Sequence, residues 1–225
     1  MPIQVEKLDN PVWFSLAETH QPFSISFNGA KFYHPDYCPF GGYNESGEIS
    51  KAIDEYATIC DNFFVVGEKP VFSSILHLKN ELICDQMIVA DKIDVTFHER
   101  IIKLTDNHAD ELYMLVNLVQ PGYFKSKTRL LGNYYGIFKD DQLVAVTGER
   151  MGMHGFTEIS AVVTHPDFTG RGYAKQLVAH TANEIINQNN TPFLHVTETN
   201  STAIKLYQAL GFITRRKISF WHFVK

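Results

Sequence analysis

Residues 164–174 read Thr-His-Pro-Asp-Phe-Thr-Gly-Arg-Gly-Tyr-Ala and lead directly into an amphipathic segment. Gly170 and Gly172 let the backbone approach a ligand closely, because neither has a side chain in the way. A helix that starts here points unpaired N–H groups and the positive end of its dipole at the same place. Residues 157–163, just upstream, are apolar and β-branched, as strands are. The order strand, glycine loop and helix predicts a site for the phosphate groups of a ligand.

Two common phosphate-binding motifs do not fit this loop. The dinucleotide fingerprint needs a third glycine at its sixth position, where the chain has Lys175. The phosphate loop of kinase-type proteins needs Gly-x4-Gly-Lys followed by Ser or Thr, and the sequence contains no such run. The glycines taken alone also fit a tight turn between strand and helix.

A second motif lies about thirty residues further along the chain. Residues 200–212 carry Asn200, Ala203, Tyr207 and a closing Gly211-Phe212. Asn200 or Ser201 can cap a helix here, and Gly211 suits its end. The two motifs together indicate more than a glycine turn.

The pair of motifs resembles the signatures of the GNAT superfamily of N-acetyltransferases. The acyl-CoA pattern of that superfamily, Gln or Arg followed by x-x-Gly-x-Gly or Ala, falls on Thr169, Gly172 and Ala174. Thr169 departs from the usual first residue, but backbone contacts need no particular side chain there. The resemblance covers about residues 98–225. It is strongest to the branch of this superfamily whose members carry an extra amino-terminal module.

The resemblance implies an enzyme that moves an acetyl group from acetyl-CoA, bound as co-substrate and without a metal, to a primary amine. It implies direct attack in a ternary complex, and Tyr207 and Glu158 as catalytic residues. The residues that it implies for binding the co-substrate are Val162, Val163, Thr164, Thr169, Gly170, Arg171, Gly172, Tyr173, Ala174, Asn200 and Tyr207.

The reaction itself explains these two catalytic assignments. An amine with a pKa of about 10.4 must lose a proton, which costs roughly 4 to 5 kcal/mol at pH 7. Glu158, in the strand that leads to the glycine loop, could accept that proton, and Glu149 is the alternative. Glu158 could equally be a strand carboxylate that faces solvent or pairs with an Arg. The leaving thiolate needs a proton in turn, which the phenol of Tyr207 could supply.

Strand geometry makes a further prediction about Glu158. Side chains alternate along a strand, so Glu158, Ser160, Val162 and Thr164 share one face unless a bulge intervenes. The oxyanion of the tetrahedral intermediate would be held by a backbone N–H near Val162 or Val163.

Composition limits the class of protein. The 225 residues are 44% hydrophobic and 13% aromatic, which is ample for a buried core. Three cysteines without metal-like spacing, no secretory pattern at the start and no long apolar run predict a cytoplasmic protein without a membrane span. A net charge of −5 argues against nucleic-acid binding. The expected partner is a small-molecule or peptide amine, and a homodimer is possible.

The order of elements predicts an α/β (α+β) protein with a mixed, splayed central sheet flanked by helices. Residues 1–97 are expected to form a smaller α/β module of unclear role, and residues 98–225 the acetyltransferase domain. In the first module, residues 12–16 and 62–67 resemble strands, and residues 49–60 a helix.

Two questions stay open from the sequence alone. A module that binds acetyl-CoA without catalysis, as a sensor or a partner-binding domain, would keep the same glycine loop. The acceptor could be an amino acid, a polyamine, an aminoglycoside, a peptide terminus or a protein lysine.

Overall fold

The computed structural model describes residues 5–44 and 48–225. Residues 1–4, part of the segment examined for a secretory pattern, and residues 45–47 lie outside this description. The described helices are α1 (Pro11–Ala17), α2 (Ile49–Tyr56), α3 (Ala109–Val119), α4 (Tyr173–Asn187) and α5 (Ser201–Ala209). The described strands are β1 (Ser24–Phe27), β2 (Ala30–Tyr33), β3 (Phe40–Tyr43), β4 (Asn62–Val66), β5 (His77–Ile88), β6 (Ile102–Lys103), β7 (Tyr134–Lys139), β8 (Gln142–Met153), β9 (Phe156–Thr164), β10 (Thr191–Thr197) and β11 (Ile213–Val224).

One mixed sheet joins these strands in the order β1-β2-β3-β4-β11-β5-β10-β9-β8-β7-β6. Helices cover both faces of it. Adjacent residues of β7 show this, because Tyr134 packs with Leu112 and Leu115 of α3, while Tyr135 packs with Leu177 of α4. The predicted fold class, a mixed and splayed sheet flanked by helices, is confirmed.

The sheet opens between β9 and β10. These two parallel strands pair at Thr191 with Phe156, Pro192 with Thr157 and Phe193 with Glu158, and no further pairs follow toward Thr164 and Thr197. Beyond Glu158 the strands therefore diverge and leave a cleft at their carboxyl ends. Clefts at this end of parallel strands are where α/β proteins commonly bind ligands.

The amino-terminal segment differs from the expectation in one element. Residues 12–16 form most of α1 instead of a strand. Pro11 stands at the first helical position, where its missing N–H costs nothing, and the buried residues Val12, Ser15 and Leu16 recur at helical spacing. The helix predicted over 49–60 ends earlier, at Tyr56, and the strand predicted over 62–67 is β4.

Residues on both sides of the predicted boundary at residue 97 share the sheet. β5 lies between β10 and β11 and pairs with both. The division of the chain at residue 97 stays a prediction. Among the described residues, no helix is long and apolar enough to cross a membrane.

Candidate active site

A cavity of about 750 Å³ occupies the cleft between the diverging strands. Its walls come from the end of β9, from β10, from the start of α5 and from the amino-terminal segment, which supplies Phe40, Leu82 and Cys84. Seven of the predicted site residues line the cavity: Val162, Val163, Thr164, Thr169, Ala174, Asn200 and Tyr207. The two motifs recognised in the sequence thus meet at one site.

The glycine loop lies at the rim of this cavity and leads into α4. Gly170 and Gly172 both have φ of +76°, and a Cβ on either would meet open space, so the left-handed backbone is what requires glycine here. Gly172 is the N-cap of α4 and offers no side chain to cap it. The first N–H groups of the helix are therefore left for a ligand.

The side chains of Thr169, Arg171 and Tyr173 make contacts within the protein. Tyr173 is buried beside Leu177 in the core under α4. Thr169 donates its hydroxyl proton to the carbonyl of Pro166 at 3.1 Å. The guanidinium of Arg171 lies 4.8 Å from the ring centre of Phe168 and donates to the carbonyl of Asp167. Between Thr169 and Ala174 the loop thus presents mainly backbone and the exposed Arg171.

A bulge interrupts β9 next to the cavity. Ala161 has φ of +50°, a left-handed conformation that non-glycine residues rarely adopt. Ser160 pairs with Gly148 and Val163 with Val146, so two residues of β9 oppose one of β8. The alternation predicted from Glu158 to Thr164 consequently ends at Ser160, and Glu158 and Thr164 lie on opposite faces.

Glu158 is fully buried and held by two partners. Arg150 on β8 donates from Nε to Oε2 and from Nη2 to Oε1, each at 2.7 Å, and His195 Nδ1 lies 2.8 Å from Oε1. Burial would raise the pKa of Glu158, but the charge of Arg150 and the hydrogen bonds from Arg150 and His195 outweigh it and lower the pKa to about 2. Glu158 is therefore an ionised, bidentate partner of an arginine, one of the alternatives left open by the sequence.

The hydrogen bonds behind Glu158 fix the tautomer of His195. Gln86 Oε1 accepts from Arg215, so its amide nitrogen is the atom that faces the carbonyl of Leu8 at 2.8 Å and His195 Nε2 at 3.0 Å. His195 Nε2 must then accept, and Nδ1 carries the proton that is donated to Glu158. A continuous series of hydrogen bonds thus joins Arg150, Glu158, His195, Gln86 and Arg215.

Tyr207 and Asn200 bring α5 to the cavity. Tyr207 is buried, and burial raises its pKa to about 12, so its hydroxyl stays protonated at neutral pH. No hydrogen-bond partner of this hydroxyl lies among the described residues. The side chain of Asn200 caps α5 by accepting from the N–H of Ala203 at 3.1 Å.

Other candidate groups have structural surroundings. The carboxylate of Glu149 accepts from the backbone and side chain of Asn133 and does not line the cavity. Cys84 does line it, but burial raises the pKa of this thiol to about 12. Within the described residues, no group of three or more His, Cys, Asp or Glu could hold a metal ion.

Sequence reasoning missed other residues that line the cavity, foremost Arg150, Tyr134 and Phe40. Arg150 follows Glu149 in β8, and an irregularity between Glu149 and Gly152 places it opposite Glu158, which the sequence does not show. Phe40 lies 94 positions before Tyr134, and nothing local in the sequence joins the two. Both line the cavity, although β3 and β7 are far apart in the sheet.

The comparisons with known proteins agree with this geometry. A model of the FR47-like protein family matches residues 134–221, which include both motifs. A solved structure from Novosphingobium aromaticivorans, assigned as an acetyltransferase of the GNAT family, is 27% identical, covers 97% of this chain and 98% of its own, and superposes with a TM-score of 0.87. In its two motifs and in its fold, the chain is similar to acetyltransferases of the GNAT superfamily.

Two further GNAT structures share the fold at lower identity. A GCN5-related N-acetyltransferase-like protein from Streptococcus suis is 15% identical over 97% of both chains, with a TM-score of 0.63. A GCN5-related N-acetyltransferase from Kribbella flavida is 11% identical over 100% of this chain and 96% of its own, with a TM-score of 0.65. No curated protein sequence matches the chain. These GNAT likenesses extend over the amino-terminal segment as well as the carboxyl-terminal part.

Proposed function

We propose that the chain transfers an acetyl group from acetyl-CoA directly to a primary amine while both are bound. The observation that supports this most is the meeting of the Gly170–Ala174 loop, the opened edge of β9 and Tyr207 at one cavity. A loop of free N–H groups suits the diphosphate of the co-substrate, and the gap between β9 and β10 suits its extended arm.

The co-substrate would lie across the residues predicted from the sequence. The diphosphate would meet the N–H groups of residues 170–174 and the exposed charge of Arg171. The thioester would lie beside Val162, Val163 and Thr164, where the bulge at Ala161 turns backbone groups away from β8. A backbone N–H near Val162 or Val163 would hold the oxyanion of the tetrahedral intermediate.

Tyr207 would act on the leaving group. Its hydroxyl is protonated at neutral pH, lines the cavity and can donate a hydrogen bond to the sulfur as charge develops there. Cys84, with a pKa of about 12, has too little thiolate at neutral pH to take the acetyl group itself. Both observations favour direct transfer over a covalent intermediate.

The sequence predicts Glu158 as the base, and its surroundings favour a positioning role instead. A carboxylate with a pKa of about 2 accepts a proton from an ammonium of pKa about 10.4 at a cost of about 11 kcal/mol. Taking the neutral amine from solution at pH 7 costs only roughly 4 to 5 kcal/mol. We therefore propose that Glu158 fixes Arg150 and His195, and that the amine enters the reaction already neutral.

The proposal is tested with the full chain. Titration calorimetry with acetyl-CoA should show one site, and a thiol-release assay over a panel of amines should show acetyl-CoA-dependent turnover. Tyr207→Phe should lower kcat by about tenfold or more with little change in acetyl-CoA affinity, because one donor to the leaving group is lost.

Three other results of these experiments would contradict or change the proposal. Absence of acetyl-CoA binding would contradict the proposal at its base. Tight binding without thiol release from any amine would favour the non-catalytic, acetyl-CoA-sensing alternative. Unchanged turnover in Tyr207→Phe would remove Tyr207 from the reaction while leaving the site intact.

A further inference from the structure

The acceptor side of the cavity has an unusual charge balance. Among the Lys, Arg, Asp and Glu residues of the described chain, Arg150 is the one that lines the cavity. No Asp, Glu or Lys is among these lining residues. An acceptor with several positive charges would find no counter-charge there, and burying an unpaired charge is costly.

Arg150 keeps donors that the protein does not use. Its Nε and one N–H of Nη2 are bound to Glu158, and its guanidinium lies 4.6 Å from the ring centre of Phe40. Nη1 has no hydrogen-bond partner among the described residues. The side chain is only 14% exposed, so what it can reach is the cavity that it lines.

Tyr134 offers a second free donor beside Arg150. Its side chain is 3% exposed and lines the same cavity, and its hydroxyl has no hydrogen-bond partner within the described chain. The two groups are close enough to influence each other electrostatically. The Tyr134 hydroxyl and Arg150 Nη1 are thus donors that a ligand or water in the cavity can satisfy.

The remaining acceptor wall is apolar and largely aromatic. It consists of Phe40, Val116, Tyr123, Phe124 and Phe220 together with Leu82. Such a wall suits an acceptor with an apolar body.

We propose that the acceptor is an amino acid with an apolar or aromatic side chain, whose carboxylate is bound by Nη1 of Arg150 and the hydroxyl of Tyr134. An amino acid whose amine is neutral brings one carboxylate into the cavity, and an arginine with a free N–H pair suits that carboxylate. The inference rests on the proposed acetyl transfer. In that step the amine nitrogen forms a bond to the acetyl carbon, the carbon–sulfur bond breaks, the thiolate is protonated and the amine loses a proton to solvent.

The network behind Arg150 explains how the donors stay in place. Glu158 fixes one edge of the guanidinium through Nε and Nη2, and Phe40 covers one face. His195 holds Glu158, and Gln86 holds His195 in turn. The free Nη1 is thus presented by a rigid group, which lowers the entropic cost of binding.

The experiment compares acceptors that differ in one group. Thiol release by the full chain is measured with acetyl-CoA and L-phenylalanine, phenethylamine or spermidine. Phenethylamine is phenylalanine without its carboxylate, and spermidine is a polycation. The kcat/KM for phenylalanine should exceed that for phenethylamine by about 10- to 100-fold, as expected for loss of a hydrogen bond to a charged group, and spermidine should be the poorest acceptor.

A matched pair of variants locates the carboxylate. Tyr134→Phe removes only the hydroxyl and keeps the ring that packs against α3, so the preference for phenylalanine over phenethylamine should fall about tenfold, mainly through KM. Tyr135→Phe is the control, since Tyr135 is the next residue of β7, packs against α4 and does not line the cavity. In Tyr135→Phe, the preference for phenylalanine over phenethylamine should be the same as in the unmodified chain.

The outcomes separate this inference from the proposed function. If kcat/KM for phenethylamine or spermidine equals that for phenylalanine, the carboxylate site is overturned, while acetyl transfer stands. An unchanged preference in Tyr134→Phe overturns the role of Tyr134. Absence of release from every amine overturns the proposed function, and the acceptor inference with it.

Discussion

The ion pair of Glu158 and Arg150 illustrates how one residue is governed by its surroundings. Both side chains are largely buried, and the pair is bidentate with two bonds of 2.7 Å. Breaking such a pair by removing one partner leaves an uncompensated buried charge, which typically costs about 3 to 5 kcal/mol. The same pairing that stabilises the site also makes Glu158 a weak base.

The lowered pKa of Glu158 predicts how stability depends on pH. The pKa is about 2 in the folded protein against 4.5 as the ordinary value. This difference contributes about 3 kcal/mol of stability. Because the folded pKa is the lower one, the contribution is fully present above about pH 5 and is lost as the pH falls toward 2.

Urea unfolding between pH 7 and pH 3 measures this contribution. Glu158→Gln should be less stable than the unmodified chain by about 3 kcal/mol at pH 7, and the gap should narrow as the pH falls. Asp36→Asn, which removes an exposed carboxylate paired with Lys127, should follow the unmodified chain closely. Parallel curves for Glu158→Gln and the unmodified chain over the whole range would contradict the assigned pKa.

The strand β9, the glycine loop and the helix α4 form one unit, and its backbone conformation shapes the candidate site. The strand supplies a bulge and a diverging end, the two glycines supply left-handed turns, and the helix supplies free N–H groups. None of these needs a reactive side chain. The unit therefore responds to substitutions that change backbone conformation.

Gly172→Ala tests the backbone of this loop. Gly172 has φ of +76°, so alanine should cost about 1 kcal/mol of stability. It should also weaken acetyl-CoA binding severalfold or more, because the loop must shift. Gly155→Ala is the matched control: Gly155 has φ of +89° with open space around it, and it lies in the turn between β8 and β9.

Calorimetry with acetyl-CoA and urea unfolding separate the two effects. Both variants should lose similar stability, and only Gly172→Ala should lose affinity. Equal acetyl-CoA affinities in the two variants would show that the loop backbone does not bind the co-substrate.

At the scale of the whole molecule, the amino-terminal segment is built into the sheet. β5 pairs with β10 on one side and with β11 on the other, and β4 extends the sheet beyond β11. Leu8, Val12 and Leu16 of the same segment pack in one cluster with Met151, Phe193 and Phe220. Removing this segment would expose two strand edges and an apolar face.

A truncation tests whether residues 98–225 are independent. We expect the full chain to unfold in one cooperative thermal transition and the fragment 98–225 to show none, because it lacks β5 between β10 and β11. Circular dichroism and calorimetry measure the thermal transitions of the full chain and of the fragment. A cooperative transition in the isolated fragment would instead support the division at residue 97.

Local pattern determined the elements of the carboxyl-terminal part. The apolar and β-branched stretch 157–163 lies within β9, and the cap at Asn200 and stop at Gly211 frame α5. These features depend on neighbours within a few residues, which a sequence displays directly. The same reasoning failed at residues 12–16, because a short apolar run fits a strand and a helix equally well.

The sequence by itself determined the sheet class, the glycine loop and the pairing of the two motifs, because helical periodicity, left-handed glycine positions and capping residues are local properties. Only the tertiary structure decided what surrounds the reacting groups. The bulge at Ala161, the burial of Glu158 against Arg150 and the approach of Phe40 to Arg150 depend on strand register and on the packing of distant parts of the sheet. Those contacts join residues far apart in the chain, so their distances and their effect on pKa exist only after the sheet has formed.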